Sequence, residues 1–165
     1  MMISKAMNGL LNKQVSVEFA AAHKYLAMSC QLDGMGLKVL RKRYLQQYEE
    51  ECVHALKILN YLLEVGGSVA LEGVAKPKGG YKSVEAIVEA SLESELEVTR
   101  LINELVALAE KENDYATRSF LTWFVDEQVE EVSSMEDLLR LVQLAKGNYL
   151  QVETRVRHDM LAEKD

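Results

Sequence analysis

Apolar residues recur at helical spacing along most of the 165-residue chain, and the pattern stops only where glycine and proline gather. The three main interruptions are Asp33-Gly34-Met35-Gly36, the stretch 66–80, and Lys146-Gly147-Asn148. Residues 81–146 contain neither Gly nor Pro, yet a single helix of that length would reach ~100 Å. The polar stretch 112–115 divides this segment. The pattern therefore predicts helices over residues 4–32, 38–65, 83–112 and 116–145, and a short fifth helix over 149–162.

Four helices of nearly equal length predict a four-helix bundle. Short turns make the first two helices antiparallel neighbours, and the same holds for the third and fourth. The connection over residues 66–82 is long enough to cross from one end of the bundle to the other. We therefore expect one all-α domain over residues 1–165, built from two antiparallel hairpins that a long crossover loop joins.

Composition and charge narrow the classes of function. The chain is rich in Leu, Glu and Ala and holds one Pro, which suits long helices and argues against a β-sandwich or barrel. Its net charge of −7 disfavours nucleic-acid binding, and no apolar run approaches the ~18 residues of a membrane span. Two cysteines cannot build a disulfide framework, and residues 1–9 lack the apolar stretch of a signal peptide. We expect a cytoplasmic protein with no nucleic-acid or membrane partner.

The most informative feature is a carboxylate on the apolar stripe of each long helix. Glu18, Glu51, Glu95 and Glu131 lie near the middle of their helices, with apolar residues three, four or seven positions away. A bare buried carboxylate is costly unless a shifted pKa neutralises it. Converging carboxylates therefore predict one or two bound cations.

A histidine adds a nitrogen ligand to this set. Glu51 and His54 form an E-x-x-H pair, so both side chains lie on one helix face and can reach one metal. Carboxylate oxygens with an imidazole nitrogen suit a hard or borderline divalent cation. An isolated E-x-x-H pair often arises by chance, but this one lies level with three more glutamates, which makes it far more specific.

With these motifs, the chain resembles the haem-free prokaryotic ferritins over about residues 4–147. The matching segments are Glu18 with Tyr25, the run 48–54 (Tyr-Glu-Glu-Glu-Cys-Val-His), Glu95, the run 113–115 (Asn-Asp-Tyr) and the run 123–131 (Trp-Phe-Val-Asp-Glu-Gln-Val-Glu-Glu). The resemblance implies a ferritin-like four-helix bundle with a long crossover and a short C-terminal fifth helix.

The resemblance further implies a dinuclear iron site between the four helices. The residues matching the ligands of the first iron are Glu18, Glu51 and His54. Those matching the ligands of the second are Glu51, Glu95 and Glu131, with Glu51 bridging the two irons.

Other matches surround this site. Gln128 matches a residue that lines it, and Tyr25 matches a tyrosine beside it that can supply an electron. Glu50, Glu127 and Glu130 match the ligands of a third, outer iron site.

The register of the fourth helix follows from its stripes. Gln128 and Glu131 share a stripe with apolar residues, whereas Glu127 and Glu130 share theirs with more polar ones. Because the apolar stripe should face the bundle, we expect Gln128 and Glu131 inside and Glu127 and Glu130 just outside.

The function that the resemblance implies is iron storage. Fe(II) would be oxidised by O2 or peroxide at a ferroxidase centre, and ferric mineral would be deposited inside a hollow shell of 24 subunits. Haem is disfavoured, because Cys52 stands where the similar bacterioferritins carry a haem-ligating Met, and Glu131 replaces the His of their second E-x-x-H pair.

Three alternatives remain from the sequence. A haem-binding bacterioferritin would show a Soret absorption band. A di-iron peroxidase or oxygenase on the same bundle would need a substrate pocket or an electron-transfer domain, and no residues are left over to build one. A non-catalytic shell subunit would carry Ala, Lys or Leu at the ligand positions.

Overall fold

Five α-helices make up the computed structural model, which describes residues 3–162. They are α1 (Lys5–Gly34), α2 (Lys38–Glu64), α3 (Val84–Glu112), α4 (Tyr115–Ala145) and α5 (Tyr149–Ala162), and this range contains no strand. The predicted all-α fold of four long helices and a short C-terminal fifth helix is therefore confirmed. The first two and last three positions of the predicted domain lie outside the described residues. Within residues 3–162, no helix is both long and apolar enough to cross a membrane.

Side-chain caps define three of the helix starts. Ser4, Ser83 and Asp114 each accept a hydrogen bond from the backbone N–H three residues ahead, at 3.0–3.1 Å. These bonds satisfy amides that have no partner within the helix. Asn113 has a φ of 56° and ends α3 in the left-handed region, so an Asn-Asp pair is sufficient to separate α3 from α4.

The start of α2 is capped from a distant part of the chain. Leu37 provides no side-chain cap, and the Glu153 carboxylate of α5 instead accepts 2.8 Å hydrogen bonds from the amides of Val39 and Leu40. A carboxylate at this position also interacts favourably with the helix dipole. The fifth helix is thus fastened to the bundle by a charge as well as by its buried apolar residues.

Contacts between helices establish the topology. Ser4, before α1, donates to Glu112 at the end of α3, and Gln31 near the end of α1 bonds to Tyr81 just before α3. Helices α1 and α3 are therefore antiparallel. Since α2 is antiparallel to α1 across a short turn, α2 and α3 run parallel, as the long crossover requires.

The crossover loop is fastened to α1. Asn12 donates to the Ser68 carbonyl oxygen at 2.8 Å and accepts from the Ala70 amide at 2.6 Å. Gly67 lies where the loop leaves α2, and an added Cβ there would meet Asn8 Oδ1 at 2.7 Å and the Leu62 carbonyl oxygen at 2.9 Å. Only glycine fits this close approach.

Two apolar clusters fill the bundle, one toward each end. One includes Leu11, Ile58, Ile102 and Phe124, and the other includes Met28, Leu40, Ile87 and Met135. The four stripe glutamates lie between the clusters along their helices. This arrangement places a charged layer at mid-bundle, closed off by apolar packing above and below.

Candidate metal centre

Each of the four bundle helices contributes to the mid-bundle layer. Glu18 comes from α1, Glu51 and His54 from α2, Glu95 from α3 and Glu131 from α4, and all five are buried, with at most 6% of their surface exposed. Amphipathic packing turns the apolar stripes inward, and the glutamates on those stripes are carried in with them.

Three of these side chains offer ligand atoms within 4.8 Å of one another: Glu18, Glu51 and His54. His54 Nδ1 lies 3.4 Å from Glu51 Oε2. Glu18 Oε1 accepts a 2.8 Å hydrogen bond from Gln14, whereas the buried Glu18 Oε2 and Glu51 Oε2 have no hydrogen-bond partner within residues 3–162. Buried oxygens without donors are rare in folded proteins, and two side by side fit a bound cation.

The protonation of this pair agrees with that interpretation. Burial raises the pKa of Glu18 well above its ordinary range, and the negative charge of Glu51 raises it further. Burial likewise raises the pKa of Glu51, and the charge of Glu95 adds to the effect. Burial and mutual repulsion therefore favour the protonated forms of this pair, and a bound cation would favour the ionised forms instead.

Glu95 is held by hydrogen bonds from two other helices. Tyr25 on α1 donates a short hydrogen bond to Glu95 Oε1. Gln128 Nε2 on α4 lies 3.4 Å from Glu95 Oε2 and 3.2 Å from both the Glu95 carbonyl oxygen and Thr99 Oγ1. Burial raises the pKa of Glu95, while the bonds from Tyr25 and Gln128 lower it.

Glu131 faces the same layer from α4. Its Oε2 accepts a 2.9 Å hydrogen bond from Gln47 on α2. Burial, with the charges of Glu95 and Glu50, raises the pKa of Glu131 to about 7. Near neutral pH both the protonated and the ionised forms of this carboxyl are therefore populated, and a metal would bind the ionised form.

A second potential metal-binding group shares His54 with the first. Ligand atoms of His54, Glu127 and Glu131 also lie within 4.8 Å of one another, and His54 Nε2 is 3.7 Å from Glu127 Oε1. The two ring nitrogens of His54 thus face different carboxylates.

Aromatic rings hold His54 in this orientation. Trp123 and Phe124 stand edge-on to the imidazole, with ring centroids 5.4 and 6.1 Å away. Lys57 Nζ lies 4.1 Å over the Trp123 ring, a cation–π contact that fixes the indole.

The residues predicted for the outer iron site line one depression between α2 and α4. Glu50, Glu127 and Glu130 all line it, together with Glu131, and its volume is about 260 Å³. Gln128 and Glu131 are buried, Glu127 is half-buried and Glu130 is exposed, which agrees with the predicted register of α4.

The predicted ligand set of the second iron stays a prediction. Glu51, Glu95 and Glu131 were expected as the second trio, but among the described residues the close groups are the two that contain His54. Glu95 is hydrogen-bonded to Tyr25 and Gln128, and Glu131 belongs to the close group with His54 and Glu127. Which carboxylates converge depends on side-chain torsions, which helical spacing does not specify.

The sequence interpretation missed two glutamines that support the site. Gln14 donates to Glu18, and Gln47 donates to Glu131. Gln14 precedes Glu18, and Gln47 precedes Glu51, by four residues on the same apolar stripe. A glutamine four residues before a glutamate on the apolar stripe is therefore the sequence feature that could have identified both residues.

Comparison with known proteins agrees with this geometry. The model of the ferritin-like domain family matches residues 8–145. Bacterial non-haem ferritins of Staphylococcus haemolyticus and Staphylococcus aureus are 39% and 40% identical over 135 residues, which cover 82% of this chain and 81% of each relative. An open-pore ferritin from the hyperthermophilic archaeon Archaeoglobus fulgidus aligns with a TM-score of 0.92 at 36% identity, covering 94% of this chain and 96% of that one. The chain therefore belongs to the ferritin family, with non-haem prokaryotic ferritins as its relatives, as its motifs predicted.

Proposed function

We propose that this protein is an iron-storage ferritin that oxidises Fe(II) at the mid-bundle centre. The observation that carries the proposal is the buried trio Glu18, Glu51 and His54, whose ligand atoms lie within 4.8 Å of one another and in which two buried carboxylate oxygens have no hydrogen-bond partner among the described residues. A divalent cation would satisfy both oxygens and cancel the charge that burial makes costly.

The donor set suits iron as the substrate. Carboxylate oxygens and an imidazole nitrogen bind Fe(II), and the excess of anionic ligands stabilises Fe(III) more than Fe(II). In our proposal the first iron binds Glu18, Glu51 and His54, and the second binds Glu51, Glu95 and Glu131. Glu51 then bridges the two ions.

The oxidation balances with two irons. Each Fe(II) gives one electron, and O2 takes both together with two protons to form hydrogen peroxide. If peroxide is the oxidant, the same two electrons and two protons yield two waters. Two irons in one site let the oxidant take both electrons without releasing a one-electron product.

The neighbouring residues have supporting roles in this proposal. Gln128 and Tyr25 position Glu95, and Tyr25 is placed to supply a further electron through its contact with that ligand. Glu50, Glu127 and Glu130 form a third iron site in the outer depression. Glu127 connects the two regions because it faces His54.

Storage requires a container, and one bundle encloses no space for a mineral. We propose a homo-oligomeric shell of 24 subunits that works in the cytoplasm without nucleic-acid or membrane partners. The relatives are named ferritins, and the archaeal one is described as open-pored.

The test is aerobic addition of Fe(II) to apoprotein, followed by the ultraviolet absorbance of the ferric product. The chain should oxidise iron faster than buffer alone, and the double variant Glu51→Gln/His54→Ala should not. Glu49→Gln, an exposed neighbour on α2, is the matched control and should retain the rate.

Storage is tested separately by electron microscopy and light scattering of iron-loaded protein. Electron-dense cores inside uniform particles would support the storage function. Oxidation no faster than buffer would refute the ferroxidase function, and mineral found only outside the particles would refute storage.

A further inference from the structure

An apolar groove follows the seam between α3 and α4, on the opposite side of α4 from the acidic depression. Its volume is about 440 Å³. Five of its ten lining residues are aliphatic, namely Leu96, Ile102, Val125, Val129 and Val132. The other five are polar, and they include a single carboxylate, Glu136. Val129 is 68% exposed and Leu96 is 51% exposed, so the groove is open along its outer edge.

The groove reaches the metal centre through one side chain. Gln128 and Thr99 also line it, and Gln128 Nε2 contacts both Glu95 and Thr99. Gln128 therefore connects the groove wall to the carboxylate of Glu95, a proposed ligand of the second iron.

The hydrogen bonds of Gln128 are suited to movement. One amide nitrogen with two hydrogens faces three acceptors at 3.2, 3.4 and 3.2 Å. These distances are longer than the usual ~2.9 Å of an N–H···O bond, and two hydrogens cannot satisfy three acceptors fully. Rotation of the Gln128 side-chain amide therefore costs only weak hydrogen bonds.

The surfaces on the two sides of α4 thus differ in polarity, although both lie next to the same metal centre. The depression on the α2 side presents four carboxylates against one guanidinium, Arg43, and this excess of negative charge attracts cations. The carboxylates are those of Glu50, Glu127, Glu130 and Glu131. The groove on the α3 side is aliphatic and disfavours a hydrated ion, but it accommodates an uncharged apolar molecule, whose transfer from water to apolar surroundings is favourable.

We infer that the α3–α4 groove is the access route for dioxygen, with Gln128 as its gate, while Fe(II) reaches the centre from the acidic face. This inference rests on the proposed ferroxidase function. Separate routes would let the oxidant reach bound iron without passing the incoming Fe(II), which limits oxidation outside the centre.

The first test narrows the groove from its exposed rim. Val129→Trp places an indole over the groove, and because the Val129 side chain is mostly exposed, its replacement removes little buried apolar surface. Leu63→Trp, an aliphatic residue of similar exposure on α2 (57%), is the matched control, and light scattering checks the assembly of both variants. In stopped-flow experiments with preloaded Fe(II), Val129→Trp should lower the second-order rate constant for O2 about tenfold, equivalent to ~1.4 kcal/mol.

Two further measurements make this result specific. Oxidation by hydrogen peroxide, a polar oxidant, should be unchanged in Val129→Trp, and so should the stoichiometry of anaerobic Co(II) binding. Crystals of the parent protein pressurised with xenon, an apolar probe, should show xenon in the groove, and Val129→Trp crystals should not.

The outcomes separate the two proposals. A parent that fails to oxidise Fe(II) overturns the proposed function, and the dioxygen route falls with it. A parent that oxidises normally, with Val129→Trp equally fast toward O2, overturns only the route. Equal losses with O2 and peroxide, weakened Co(II) binding, a defect in assembly, or a groove without xenon would each also refute it.

Discussion

Replacing Glu131 by Gln should stabilise the apoprotein above neutral pH, although it removes a proposed iron ligand. Glu131 is only 6% exposed, and its Oε2 accepts one hydrogen bond, from Gln47. A glutamine keeps the shape and an oxygen that accepts from Gln47, but it carries no proton to lose. The substitution therefore isolates the cost of ionising this carboxyl inside the bundle.

The pKa determines the magnitude and the pH window. Burial raises the pKa of Glu131 from 4.5 to about 7, so the folded chain retains a proton that the unfolded chain has released. The contribution of this retained proton to the free energy of unfolding is fully present below pH 4.5 and is lost as the pH rises through 7. Above that range the loss amounts to ~3 kcal/mol, which corresponds to a Tm difference of about 6–12 °C.

Thermal unfolding of chelator-treated protein, at one protein concentration and at pH 4.5 and 8, tests this prediction. Glu131→Gln should unfold at a higher temperature than the parent at pH 8 and at nearly the same temperature at pH 4.5. The exposed Glu89→Gln variant should follow the parent at both pH values. A gain of equal size at both pH values, or none at pH 8, would refute the reasoning. Adding Co(II) at pH 8 should reduce the difference in unfolding temperature between the parent and Glu131→Gln, because the bound cation stabilises the parent more.

Substitutions at three further positions test other parts of the structure by thermal unfolding. Glu153→Ala leaves the first amides of α2 uncapped and should cost ~1–2 kcal/mol, whereas Glu153→Gln should recover part of the loss; equal stability would refute the cap. Gly67→Ala should cost ~1–3 kcal/mol, because its Cβ would lie 2.7 Å from Asn8 Oδ1; an unchanged Tm would contradict this. Tyr25→Phe removes the donor that lowers the pKa of Glu95 and should cost ~1–3 kcal/mol; the cost should be larger at pH 8 than at pH 5, and the opposite order would refute it.

Helix positions and the mid-bundle layer were predictable from the sequence because both depend on local periodicity. The gaps at 33–36, 66–80 and 146–148 separate the helices, since glycine and proline act on the backbone at their own positions. Glu18, Glu51, Glu95 and Glu131 are buried because packing turns every apolar stripe inward, whatever else lies on that stripe.

Long-range pairings were beyond the reach of periodicity. Nothing local to Glu153 indicates that it caps α2, more than 110 positions away along the chain, and Gln47 is identified as a partner of Glu131 only once α2 faces α4.

Which carboxylates converge was decided by the tertiary structure alone. His54 faces Glu51 with one nitrogen and Glu127 with the other, and Glu95 turns toward Tyr25. Spacing along a helix specifies the face from which a side chain emerges, but its final direction depends on neighbours that other helices supply. The sequence by itself therefore determined that four glutamates lie inside a helical bundle, and only packing determined which partner each of them faces.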